Sequence, residues 1–178
     1  MSIASLSHSI QNCEFFTAVR QSELFYPSVL ATHLTCIAIF GGMILMTNLR
    51  LLNLAFTNTP ASVIIASMRV WKRIGFVIMI SCGILLAGSH LDKYYPNPYF
   101  QLKLCLLSAA GIHGLIFHRS VYYNASLDRN GKLPLSAAVA GGTSLLIWLA
   151  ILTCGRWIAY YDDPNAIAGL LGTLARLV

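Results

Sequence analysis

Four of the five histidines of this chain, His33, His90, His113 and His118, lie in or at the edge of long apolar stretches, and only His8 lies outside them. An ionisable side chain in such a stretch is costly to bury unless it has a partner or a task. No Asp or Glu lies in the middle of any of these stretches, which argues against a carboxylate proton relay or a cation pathway. Neutral imidazole in carboxylate-poor, apolar surroundings suits haem b, whose iron takes histidine as an axial ligand. The plainer alternative for each ring is a hydrogen bond to a neighbouring helix.

Depth narrows the pairing. His33 lies about nine residues inside the first apolar stretch, roughly 13 Å by helical rise. His90 lies near the end of the second stretch, which runs in the opposite direction. Side chains lean toward their own helix N-terminus, so the two imidazoles are predicted to converge. His113 and His118 are five residues apart, a rotation of about 140° on one helix, and cannot both face one iron. The expected metal ligands are therefore His33 and His90, with His33 and His113 as the second choice. A copper set of His33, His90, Cys82 and either Met43 or Met79 is a further alternative, because soft sulfur and imidazole ligands suit Cu(I).

The elements that must position these groups are helices that span a bilayer. Of 178 residues, 57% are hydrophobic and only 10% are charged, against roughly 25% in soluble domains. The mean hydropathy is +0.68. The uncharged or nearly uncharged blocks predict spans over 24–47, 74–91, 99–117 and 134–161, each long enough to cross a hydrocarbon core of ~30 Å. Pro27 fits a helix start, and Thr59-Pro60 reads as a cap followed by a first helical residue. Ala61 to Val70 is predicted as a short interfacial helix, separated from the second span by Arg69, Lys72 and Arg73 at the membrane surface. Lys103 is expected to snorkel from the third span. The expected fold is all-α: one four-transmembrane-helix bundle over residues 1–178, with short interfacial helices at the N- and C-termini. Glycine occurs in every span, including Gly41-Gly42, Gly83, Gly88, Gly111, Gly114 and Gly141-Gly142, where small residues admit close helix packing or a flat macrocycle.

Charge sets the expected orientation. The two connections on one side hold Arg50, Arg69, Lys72, Arg73, Arg119, Arg129 and Lys132. The side of the termini holds Arg20, Lys93, Lys103, Arg156 and Arg176. Seven bases against five predict that both termini are periplasmic in a bacterial inner membrane. The net charge of +6 is thus a matter of topology, and no basic patch interleaved with exposed aromatics points to nucleic acid. Five cysteines without a C-x-x-C exclude a zinc ribbon, a thioredoxin-type site and covalent c-type haem. Hydrolase and phosphate-loop motifs are absent as well.

Phe25-Tyr26-Pro27 with His33, Gly41-Gly42, Asn48-Leu49-Arg50-Leu51-Leu52, Phe100-Gln101-Leu102-Lys103 and Phe117-His118-Arg119 together resemble an uncharacterised family of small bacterial four-helix integral membrane proteins. That family is similar in outline to b-type cytochromes and to copper-resistance-protein-D-like membrane proteins. The likeness runs from Phe15 to Tyr123 and implies that His33 and His118 occupy marked positions. The expected function is electron transfer through haem b between quinol or another membrane donor and a periplasmic redox protein. The alternatives are a cofactor-free subunit of a larger complex or oligomer, and a copper-handling protein.

Overall fold

The structure, a computed structural model, describes residues 3–117, 121 and 133–160. These form seven helices and no strand: α1 (Ile3–Gln11), α2 (Glu14–Gln21), α3 (Phe25–Leu51), α4 (Ala61–Ser89), α5 (Leu91–Tyr94), α6 (Pro98–Phe117) and α7 (Leu135–Ile158). Four of them, α3, α4, α6 and α7, are long and apolar enough to cross a membrane, the pattern of a multi-pass membrane protein. The expected C-terminal surface helix and His118 lie outside the described residues.

Local chemistry explains the ends. Ser22 Oγ accepts the Phe25 N–H at 3.1 Å as α3 begins. Asn97 caps α6 by accepting the Tyr99 N–H at 3.0 Å, with Pro98 at the first helical position where its missing donor costs nothing. The α3 helix runs four residues beyond its predicted limit of Thr47 and closes in a Schellman motif. Asn53 there takes the left-handed conformation, φ 58°, while Leu54 N–H bonds the Leu49 carbonyl and Asn53 N–H bonds that of Arg50. Arg50 is buried against this turn, donating through Nε to the Thr59 carbonyl at 2.7 Å. It clips the α3–α4 connection together rather than simply marking a surface.

One predicted boundary is corrected. Ala61–Ser89 is a single continuous helix, so the interfacial helix and the span beginning near Ile74 are one element. Arg and Lys are good helix formers, and no Gly or Pro stands between Ala61 and Ile74 to break the turn. Charge was a marker of depth, not of a helix end. The cap differs too: Pro60 itself precedes the first turn, and Thr59 makes no side-chain cap.

In the bundle, α3 packs on both α4 and α7, and α6 packs on α7. At Gly141 a side chain would begin 3.0 Å from Leu51 Cβ and 3.2 Å from the Asn48 carbonyl oxygen, so glycine is what allows α3 and α7 to touch there. Apolar clusters sit at three depths: Leu51, Ala61, Ile65, Ala137 and Ala140 near the Arg50 end, Met79, Trp148 and Ile151 in the middle, and Val29, Cys82 and Leu86 toward the termini. At that last end Tyr99 stacks on Trp157 at 5.8 Å, an aromatic pair of the kind that anchors a span at the interface. Lys103 lies along α7 with its Nζ beside Gly155.

Candidate functional site

The three described candidate histidines, His33 on α3, His90 just past the end of α4 and His113 on α6, are held at three separate places. His33 Nδ1 lies 2.9 Å from the Met79 carbonyl oxygen, which can only accept, so the Nδ1–H donates and the lone pair is on Nε2. The same ring packs closely on Gly83, where a Cβ would meet His33 Cε1 at 3.2 Å. His90 instead packs edge-on to Tyr26 at 5.2 Å, and its Nδ1 is buried without a hydrogen-bond partner among the described residues. Tyr26 and His33 are seven residues apart on α3, as are Gly83 and His90 along α4, so the two rings lie about 10 Å apart along the helices. The structure does not bring His33 and His90 together. His113 is a third separate case, on α6 against Thr143 of α7 at 2.8 Å. Among the described residues no group of three or more His, Cys, Asp or Glu side chains is arranged to hold a metal.

A different constellation does converge. Near the Arg50 end, each of the three helix seams carries one polar link at a common depth. Across α4 and α3, Lys72 Nζ donates to Thr47 Oγ1 at 2.9 Å. Across α3 and α7, Asn48 Nδ2 donates to Ser144 Oγ at 3.1 Å. Across α7 and α6, His113 Nε2 meets Thr143 Oγ1. Thr47 and Thr143 each donate their own hydroxyl proton to a carbonyl four residues back, Met43 at 2.8 Å and Val139 at 2.7 Å. Their oxygens are therefore acceptors for the cross-helix bonds, and His113 donates from Nε2. Thr47 and Asn48 are each 2% exposed.

Among the described residues this belt runs α4–α3–α7–α6 and stops at the seam between α4 and α6, which is not closed by helix packing. A cleft of about 580 Å³ opens there, within the ~300–1,000 Å³ range of small-molecule sites. Its polar end holds Thr47, Asn48, Lys72, His113 and Ser144 with Arg69 and Arg73; its apolar wall is Phe40, Phe76, Met79, Leu107, Trp148 and Ile151. By its register with His113, Lys72 lies level with a point one turn inside the Phe117 end of α6. The sequence reading treated Lys72 as a surface mark and passed over Thr47-Asn48 and Thr143-Ser144. The available signal was two adjacent polar pairs inside otherwise apolar blocks, but only the spatial order of the helices puts them at one depth.

No curated protein and no solved structure matches the chain. Residues 22–161 match a family model described as "Family of unknown function (DUF6644)", a match that names neither b-type cytochromes nor copper-resistance-protein-D-like proteins. It takes in all four long apolar helices, leaves α1 and α2 outside, and covers well over half of the chain, which thus belongs to that family of unknown function.

Proposed function

We propose that this membrane protein binds an amphiphile drawn sideways from the bilayer into the cleft between α4 and α6. The observation that carries the reading is the division of the cleft into a polar belt at one end and an aromatic and aliphatic wall below it. A molecule with a polar head and an apolar tail satisfies both at once, and an unpacked seam between two spans is a direct route from lipid. With both termini periplasmic, the belt lies in the cytoplasmic half of the membrane, and the ligand enters from that leaflet. Gly111 lines the cleft, and a Cβ placed on it meets nothing within 4 Å, so Gly111→Phe starts its ring from open space and is the variant chosen to obstruct the cleft. Detergent-purified protein should carry bound lipid by native mass spectrometry, and Gly111→Phe should lose it. Leu104→Phe, on a half-exposed position of α6 away from the cleft, should keep it. Equal retention by both variants would reject the cleft as the site.

Haem b with electron transfer is the second reading, and one observation favours it. An imidazole whose Nδ1–H is fixed by a carbonyl, as His33 is by Met79, presents Nε2 in the tautomer that metal-binding histidines use. The His33–His90 pair does not fit one iron in this arrangement, so any haem held here would rely on His33 with a ligand other than His90. A b-type band in the reduced-minus-oxidised spectrum of haem-supplied membranes, lost in His33→Ala, is the expected result of this reading; no band would end it.

A further inference from the structure

Resting on the cleft reading, we infer that the head of the ligand is an anion carried by a lipid, a phosphate ester, and that Lys72 is the residue that recognises it. Four observations converge on this. The first is the direction in which α4 points its charges. Arg69, Lys72, Arg73 and Phe76 follow helical spacing and line the cleft, whereas Val70 and Trp71 on the opposite face are 61% and 66% exposed. Arg69 and Lys72 are half-buried on this face and Arg73, though exposed, shares it, while a valine and a tryptophan take the opposite, outward face.

The second is the partner of Lys72. Its ammonium has three N–H donors, and the hydrogen bond it makes among the described residues goes to the neutral hydroxyl of Thr47, not to a carboxylate. That bond holds the ammonium on the buried flank of α3 beside the cleft, instead of letting the long stem snorkel outward. The third is the distribution of acid along the chain. Of the six Asp and Glu, Glu14 and Glu23 precede the first span, Asp92 follows the second, and Asp162 and Asp163 follow the fourth. Only Asp128 falls in a connection on the side of Lys72. The fourth is the apolar wall, which a soluble anion would leave uncovered and an acyl chain would cover. The three donors of the Lys72 ammonium, with one placed on Thr47, suit the several oxygens of a phosphate.

The test uses the full chain with Trp71→Phe and Trp157→Phe, so that Trp148 on the cleft wall is the remaining tryptophan. In non-ionic detergent, brominated phosphatidylglycerol should quench Trp148 saturably, and brominated phosphatidylcholine at least about tenfold more weakly. Lys72→Gln should abolish that preference, and Lys72→Arg should keep most of it. A brominated fatty acid should quench more weakly than phosphatidylglycerol, and millimolar inorganic phosphate should not displace the lipid. Equal quenching by the two phospholipids, unchanged in Lys72→Gln, would overturn the anion inference while leaving an amphiphile cleft standing. A preference that emerges only in Asp128→Asn would also overturn it, because the chain would then supply its own counter-charge to Lys72. Stronger quenching by the fatty acid would replace the phosphate with a carboxylate, and displacement by inorganic phosphate would replace the lipid with a soluble anion. If no lipid quenches saturably, the cleft reading falls and this inference falls with it.

Discussion

His90 sits where an imidazole is kept neutral. Burial first, then the positive charges of Arg20 on α2 and Lys93 on α5, hold its pKa below the ordinary value. Tyr26 and Tyr94 flank the ring, and the nearest carboxylate along the chain, Asp92, is taken up by Ser7, whose Oγ donates to it at 2.8 Å. A histidine with a depressed folded pKa binds more protons when unfolded, so its contribution to stability is present above about pH 6.5 and is lost as pH falls from there through the lower folded pKa. The segment that feels this is α2, tied to the same corner by Arg20 Nη1 on the Ser89 carbonyl at 3.1 Å and by Phe16 over Gly88. Protection of the α2 amides, measured as exchange relative to the intrinsic rate at each pH, should fall between pH 7.5 and 5 in the wild type and change little in His90→Gln, with His8→Ala behaving as wild type. Protection in His90→Gln that still falls as steeply would assign the effect elsewhere. Residue types were readable here; residue partners were not. The apolar context of His33 was plain in the sequence, but its bond to a main-chain carbonyl of another helix depends on helix rotation, which no local pattern encodes.

At the scale of elements, four spans could be read from block length because lipid imposes one strict rule: a backbone crossing it must satisfy its own hydrogen bonds. What the blocks did not reveal was where α4 begins, because inward-facing cations and a membrane surface leave the same mark in one dimension. Continuity of α4 has a direct consequence. Val70 lies mid-helix, so Val70→Pro removes one ladder hydrogen bond and drives its ring against the preceding turn, at a cost of about 3 kcal/mol or more. Because Arg69, Lys72 and Arg73 keep their places on the cleft only while that turn is intact, the variant should also lose lipid retention. The check is thermal unfolding of detergent-purified protein beside native mass spectrometry. A Val70→Pro protein that unfolds at the wild-type temperature and retains lipid would mean that a break near Arg69, as the sequence alone indicated, is the better description.

At the scale of the molecule, function and orientation share the same residues. The sequence puts seven bases on the side of the two long connections and five on the side of the termini. Three of the seven, Arg69, Lys72 and Arg73, are the cations that α4 turns into the cleft. The excess that should hold that side in the cytoplasm is therefore the charge proposed to receive an anionic head, and the leaflet the cleft serves is set by the groups that serve it. A reporter that is active only in the periplasm, fused after Val178, should be active on the wild-type protein. Arg69→Gln combined with Arg73→Gln removes two of the seven bases and leaves the sides equal in number, while Lys72, the belt and the apolar wall stay in place. That double variant should insert in both orientations, with periplasmic and cytoplasmic reporters each partly active. Arg20→Gln with Lys93→Gln should instead strengthen the wild-type orientation, since it lowers the opposing count. A wild-type fusion active only in the cytoplasm would reverse the assignment and give the cleft to lipid of the opposite leaflet. A double variant that inserts as uniformly as the wild type would show that bases outside α4 decide the topology and that the cleft cations are kept for another reason.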